Sequence, residues 1–192
     1  MPPKAKFTRE EIVSAGLEIV KADGIEALTA RALGARLGSS PRPIFTVFEN
    51  MEEVLGEVRM SAKRLYASYV DRGLSEEIAF KGVGTQYILF AIREPKLFGL
   101  LFMEEQENVP SISGVLPLIE ENYDRIVRSV QDSYGLDIEA ARKLYRHLWI
   151  YTHGIATLCA TRMCSFTAEE IGSMMSEVFK GLLNGIEEEK ND

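Results

Sequence analysis

Arg42 lies between Pro41 and Pro43 and closely follows Ser39 and Ser40, so a guanidinium and two hydroxyls share a stretch that cannot run as regular helix. Each proline pushes its predecessor toward extended geometry, which marks a turn at "SSPR". A guanidinium can take two acceptors on a guanine edge at once, or it can hold a phosphate oxygen; the residues alone leave both readings of Arg42 open. Hydroxyls and ammonium groups suit phosphate oxygens. Ser39 and Ser40 in the turn, Lys4 and Lys6 near the N-terminus, and Thr29 with the backbone amides at its helix start are therefore candidate anchoring groups. Pro43 and Thr46 complete the outward-facing set beyond the turn.

Other reactive side chains point to less. His147 and His153 are six apart, which on one helix sends them to different faces, so no metal pair is expected. Cys159 and Cys164, the only cysteines, are five apart, a spacing that suits neither a CxxC redox pair nor a zinc site. They read as buried free thiols. No acid, base, nucleophile or metal arrangement stands out, so an enzyme is not expected and no cofactor is called for.

The elements that must position these groups follow from the helical period, which dominates the chain; no strand alternation and no internal repeat appear. Thr8 with Glu11 is a capping box opening a helix whose inward stripe is Ile12, Gly16, Ile19 and Val20, and Gly24 closes it. Thr29 caps a second, short helix carrying Leu33 and Leu37, and Gly38 stops it. Pro43 suits the first position of a third helix. That helix would turn Ile44 and Phe48 inward and Arg42, Pro43 and Thr46 outward. Asn50 with Glu53 then caps a fourth, longer helix. Two short helices joined by a tight turn form a helix-turn-helix.

The rest reads as longer amphipathic helices: "SEEIAFKGVGTQYILFAIREP", "PKLFGLLFMEE", "LPLIEENYDRIVRSVQDSYG", "IEAARKLYRHLWIYTHGIATLCATRMC" and "FTAEEIGSMMSEVFKGLLNGIEEEK", the last opened by a Thr167 and Glu170 capping box. The expected class is all-α with about nine helices, in two domains at residues 1–52 and 53–192. Tyr87, Phe90, Phe98, Phe102, Met103, Tyr123, Trp149 and His153 fall in this second part, and many of them should face inward. Such an interior is either plain core or the lining of a ligand pocket with a few polar tips.

Charge separates the two parts. The chain of 192 residues carries a net −7, yet residues 1–50 hold seven Lys and Arg against six Asp and Glu, and the remainder fifteen against twenty-three. A near-neutral head on an acidic body is compatible with nucleic-acid contact through the head alone, because local cations decide phosphate contact. No apolar run approaches the roughly 18 residues of a membrane span, and "MPPKAKFTREE" has no signal-peptide core, so a cytoplasmic location is expected.

The run "FTREEIVSAGLEIVKADGIEALTARALGARLGSSPRPIFTVFENMEEVL" resembles the N-terminal DNA-binding domain of the tetracycline-repressor (TetR) family of bacterial regulators. Its pieces are "AGLEIVKADGIEALT", "ALGARLG" and "PIFTVFENMEEVL", in that order and spacing. Farther on, "LWIYTHGIATL" is similar to a tryptophan-histidine-glycine segment of many members. The resemblance implies a homodimeric, ligand-responsive repressor of a palindromic operator, released by a small molecule that enters the aromatic interior of the second part. The last two helices would form the dimer interface, and the fourth would link ligand to head. Two positions depart from the family pattern: Phe45 stands where a phosphate-reaching tyrosine is common, and Met51 where a lysine is. Their loss of phosphate partners motivates an alternative, an all-α small-molecule-binding protein whose DNA-binding head is weakened or lost.

Overall fold

The computed structural model describes residues 5–105 and 108–189. Among the described residues the chain is all-helical, with nine α-helices and two short 3₁₀ turns and no strand. The helices are α1 (Arg9–Asp23), α2 (Ala30–Arg36), α3 (Met51–Leu74), α4 (Ala79–Arg93), α5 (Pro95–Phe102), α6 (Val115–Ile119), α7 (Tyr123–Tyr134), α8 (Ile138–Ala160) and α9 (Ala168–Glu188). The 3₁₀ turns are Ile25–Ala27 and Ile44–Thr46.

The caps foreseen in the sequence form. Thr8 and Glu11 make both bonds of a capping box, as do Thr167 and Glu170. Thr29 Oγ1 accepts from the Ala32 amide at 3.1 Å, and Asn50 Oδ1 accepts from the Glu53 amide at 2.9 Å. Each satisfies one donor that a helix start leaves without an intrahelical partner.

The described chain forms two compact units. The first runs to Tyr66 and also takes in Glu94–Glu104; the second is Ala67–Arg93 with the residues from Glu105 onward. The expected boundary between residues 52 and 53 and the division between Tyr66 and Ala67 both fall inside the single helix α3. In the first unit the fully buried residues Ile12, Val20, Leu33, Ile44, Phe48, Val54, Val58, Leu97 and Phe98 make the core. Gly16 lets α1 and α3 approach: a Cβ there would lie 2.8 Å from Val58 Cγ2. In the second unit Phe90, Ala91, Ile126, Val130, Ala141, Leu144 and Ala156 are buried. There the end of α3 meets α4 backbone to backbone, since a Cβ on Gly73 would stand 2.6 Å from the Val83 amide nitrogen.

Three expectations need correction. The third helix at Pro43 is a single 3₁₀ turn, and Pro43 precedes it as cap residue with φ −62° instead of occupying its first position. The expected helix over "LPLIEENYDRIVRSVQDSYG" is two, α6 and α7, because Glu120 turns extended (φ −111°, ψ 101°). Its carboxylate, on a residue only 5 % exposed, accepts from the Asn122 amide at 2.9 Å and so replaces the helical bond that would have continued the run. Finally, the cysteines are not both buried: Cys159 is half-buried and Cys164 exposed, because α8 ends at Ala160.

Candidate nucleic-acid interface

The end of α2 is built to reverse the chain sharply. Gly38 takes the left-handed conformation (φ +63°). Its amide donates to the Ala35 carbonyl at 3.0 Å, and the Ser39 amide donates to the Gly34 carbonyl at 2.8 Å. This pair of bonds is the Schellman cap, which a glycine enters without steric cost. The reversed chain then lies directly on α2. A Cβ at Gly34 would meet the Pro41 nitrogen at 2.9 Å and the Ser39 oxygen at 3.0 Å, so only glycine leaves room for the turn.

Beyond the prolines, the Ile44 amide donates to the Pro41 carbonyl at 3.0 Å and the Phe48 amide to the Ile44 carbonyl at 3.0 Å. Ile44 and Phe48 are buried at 0 % and 2 % exposure, as their four-residue spacing predicts. Arg9 packs its guanidinium over the Phe48 ring at 4.3 Å and binds Glu53 at 2.7 Å and Glu57 at 3.0 Å. The Glu53 carboxyl is held below its usual range, first by the Glu49 amide and then by Arg9. One side chain thus ties α1, the residue after the turn and α3 together.

On this frame the candidate groups separate by role. Lys6 Nζ donates to Ser39 Oγ at 3.0 Å, which brings two of the candidates together. Ser40 and Arg42 are exposed, and Pro43 is half-buried. Thr46 is exposed and donates its hydroxyl proton to the Pro43 carbonyl at 2.7 Å, which leaves the oxygen's lone pairs outward as acceptors. Thr29 is already engaged as the cap of α2. Lys4 lies outside the described residues. Phe45 stands 43 % exposed, near Arg42 and Thr46 in the chain.

Two further cations escaped the sequence reading. Arg31 and Arg36 on α2 are exposed, and, like Arg42, they have no ion-pair partner among the described residues. For Arg31 the signal was present, since it lies on the side of the helix away from the inward Leu33 and Leu37; Arg36, three residues after Leu33, flanks the inward stripe and carried no such signal. The arrangement is a rigid turn presenting a guanidinium, a hydroxyl acceptor and an apolar ring, flanked by further cations that can take phosphate oxygens.

A solved structure of a TetR family protein from Vibrio parahaemolyticus, described there as a candidate transcriptional regulator, superposes on this chain with a TM-score of 0.58. The match covers 90 % of this chain and 97 % of that one, at 15 % sequence identity. The fold is TetR-like. No family model matches the sequence, and no curated protein matches it.

The aromatic candidates of this TetR-like fold are divided between the two units. Phe98, Phe102 and Met103 belong to the first unit. Phe98 is fully buried there, its ring 5.3 Å from Phe102, while Met103 is 44 % exposed. Tyr87, Phe90, Tyr123, Trp149 and His153 belong to the second. Phe90 is core, stacked edge-on against Tyr69 at 5.2 Å. Trp149 stacks on His153 at 5.1 Å, and the Tyr87 hydroxyl lies 2.9 Å from His153 Nδ1. Burial pushes the Tyr87 hydroxyl well above its usual range, opposed by a hydrogen bond from Trp149 and reinforced by the charge of Glu120. Burial also lowers His153. Both groups are therefore neutral at neutral pH, and the Tyr87 hydroxyl and His153 Nδ1 share one hydrogen bond. Of the eight candidates only Tyr123 lines the cleft of about 620 Å³ in this unit, whose walls are charged: Asp137, Glu139, Arg142, Lys143, Arg146 and Glu189.

Gly34→Ala should lower the denaturant midpoint, because the neighbours of the added methyl are backbone atoms that cannot swing away. Overpacking of this kind costs about 1–3 kcal/mol, which outweighs the gain of up to about 1 kcal/mol from replacing a helical glycine. Gly56→Ala, in the same unit but with open space around its Cβ, should raise the midpoint instead. If both substitutions stabilise in urea titrations, the turn is not seated on α2 as described.

Proposed function

We propose that this chain is a transcriptional regulator that binds a palindromic DNA operator as a homodimer, acts as a repressor in the cytoplasm and is released by a small molecule; it is not an enzyme and uses no cofactor. The observation that carries the reading is the exposed Arg42–Thr46 segment, seated on α2 at Gly34 and anchored inward by Ile44 and Phe48, within a TetR-like fold. Arg42 reads a base edge, while Lys6, Ser39, Ser40, Arg31 and Arg36 hold phosphates. A second reading, a small-molecule-binding protein with a weakened head, is favoured by the exposed Phe45 where a phosphate-reaching hydroxyl is absent.

Fluorescence anisotropy with DNA from upstream of the protein's own gene separates the two readings. Binding that competitor DNA does not displace supports the regulator; binding no tighter than to random DNA supports the weakened head. On the operator, Met51→Lys should strengthen binding to all sequences alike and steepen the slope of log affinity against log salt by about 0.9. Arg42→Ala should cost about 1–3 kcal/mol on the cognate site and relax one position per half-site. A loss from Arg42→Ala that is uniform across sequences would reassign that residue to phosphate.

Dimerisation follows from reach, since one such turn covers only a few base pairs and useful specificity needs two copies about 34 Å apart. The outer faces of α8 and α9 are the proposed interface. Of the residues of α9 only Ile186 is buried, and Ile171, Met174 and Val178 remain partly exposed. On α8, Ile150 is 45 % exposed beside Gly154, around whose Cβ position there is open space. Small and apolar residues of this kind can pack as a four-helix bundle across a two-fold axis. Sedimentation at micromolar concentration should give a dimer, and a monomer there would defeat this part of the proposal.

The effector is proposed to enter beside Tyr87, Trp149 and His153, where aromatic walls carry two neutral polar tips. Trp149 is the only tryptophan, so its emission should shift on binding of an effector that also weakens the operator complex. An effector that releases DNA without altering that emission places its site elsewhere.

A further inference from the structure

The end of α8 folds back on itself and brings the backbone of Cys164 to the last turn that holds Cys159. Arg162 adopts the left-handed conformation (φ +57°), alone among the described non-glycine residues. Its amide donates to the Cys159 carbonyl at 3.1 Å, and the Met163 amide donates to the Leu158 carbonyl at 3.0 Å, the two bonds of a Schellman cap. The Cys164 amide reaches the same Leu158 carbonyl at 3.3 Å. That oxygen belongs to the peptide unit joining Leu158 to Cys159, so standard peptide geometry keeps the Cα atoms of Cys159 and Cys164 within about 7.5 Å of each other. This ceiling holds only for a straight path, and any bend at the hydrogen bond brings them closer to the roughly 4.4–6.8 Å that a disulfide spans. The thiols also feel each other: burial pushes the Cys159 thiol up, and the neighbouring Cys164 adds to the shift.

We propose that Cys159 and Cys164 form a reversible dithiol–disulfide pair, a modification site for small disulfides at the end of α8. The exposed Cys164 reacts first. Its thiolate attacks one sulfur of a low-molecular-weight disulfide, forming a mixed disulfide and expelling one small thiol that takes up the Cys164 proton. The Cys159 sulfur then attacks the Cys164 sulfur, closing the internal disulfide and expelling the second small thiol with the Cys159 proton. The protein loses two hydrogens and the small disulfide becomes two thiols, so the exchange balances without a further oxidant. The bridge would close a ring that contains the left-handed Arg162, a position costly for a residue with a Cβ. With its Cys164 sulfur exposed, such a bridge would be open to attack by small thiols, as reversible disulfides are. The pairing does not depend on whether the protein binds DNA.

The test uses the full reduced chain, oxidised glutathione as the probe, and intact mass with thiol titration. The expected product has lost two hydrogens and both of its free thiols and carries no glutathione, and dithiothreitol restores both thiols. Trypsin cuts after Arg162, between the cysteines, so the oxidised chain should yield the Cys159 and Cys164 peptides joined to each other. Cys159→Ser should instead accumulate a glutathione adduct on Cys164 that the wild type does not retain. Glutathione retained on the wild type, a covalent dimer through Cys164, or no loss of thiols would each overturn the proposal.

Discussion

A three-residue 3₁₀ turn cannot hold itself in place. Helix formation carries a costly nucleus that is repaid only by later residues, and Ile44–Thr46 has none to follow. Its rigidity is borrowed. Ile44 and Phe48 are sunk in the core of the first unit, the backbone before them rests on α2 where Gly34 has no side chain, and Arg9 is stacked on Phe48 while paired to two carboxylates of α3. Ordering that chain is therefore settled on folding and not charged against binding, which is what preorganisation means for the proposed operator contact. The same seating explains why Arg42, Phe45 and Thr46 all remain outward.

What the sequence made readable was mostly local chemistry. N-caps join residues three apart, so Thr8 with Glu11, Asn50 with Glu53 and Thr167 with Glu170 carried their own structure in plain view. Gly24 and Gly38, at helix ends with positive φ, were readable for the same reason. Even the length of the segment beyond the turn was available, since Pro43 and the Asn50 cap leave room for little more than one helical turn between them. The helical period across "PIFTVF" concealed this, because one turn already suffices to put Ile44 and Phe48 on the same side.

Distance in sequence hid the rest. Arg9 meets Glu53 and Glu57 from 44 and 48 residues away, and nothing about its neighbours distinguishes it from a solvent-facing cation in the first turn of a helix. Glu120 interrupts a good amphipathic pattern by turning its carboxylate back to a local amide, an alternative that periodicity does not register. Arg162 takes a left-handed conformation for which glycine would have been the signal, so the fold-back that brings Cys164 to Cys159 left no mark in the sequence. The aromatic residues were chosen for their type, and type alone does not separate Phe90 and Phe98, which are core, from Trp149 and His153, which keep part of their surface.

The two units also divide their electrostatics. In the first, Arg9, Lys21 and Arg59 are paired with Glu53, Glu94 and Glu104, which leaves Arg31, Arg36 and Arg42 as uncompensated charge on α2 and the turn. Local charge of that kind acts on phosphates whatever the net charge of the chain. In the second unit, burial keeps Tyr87 protonated and His153 neutral, so the polar tips among the aromatic rings exchange hydrogen bonds without exchanging charge. A group that takes the place of either partner there must supply a matching donor or acceptor, because a buried hydrogen-bonding group left unmatched costs about 1–3 kcal/mol. Selectivity beside Trp149 would then come from hydrogen-bond complementarity, whereas affinity at the turn would come from charge and would weaken with salt.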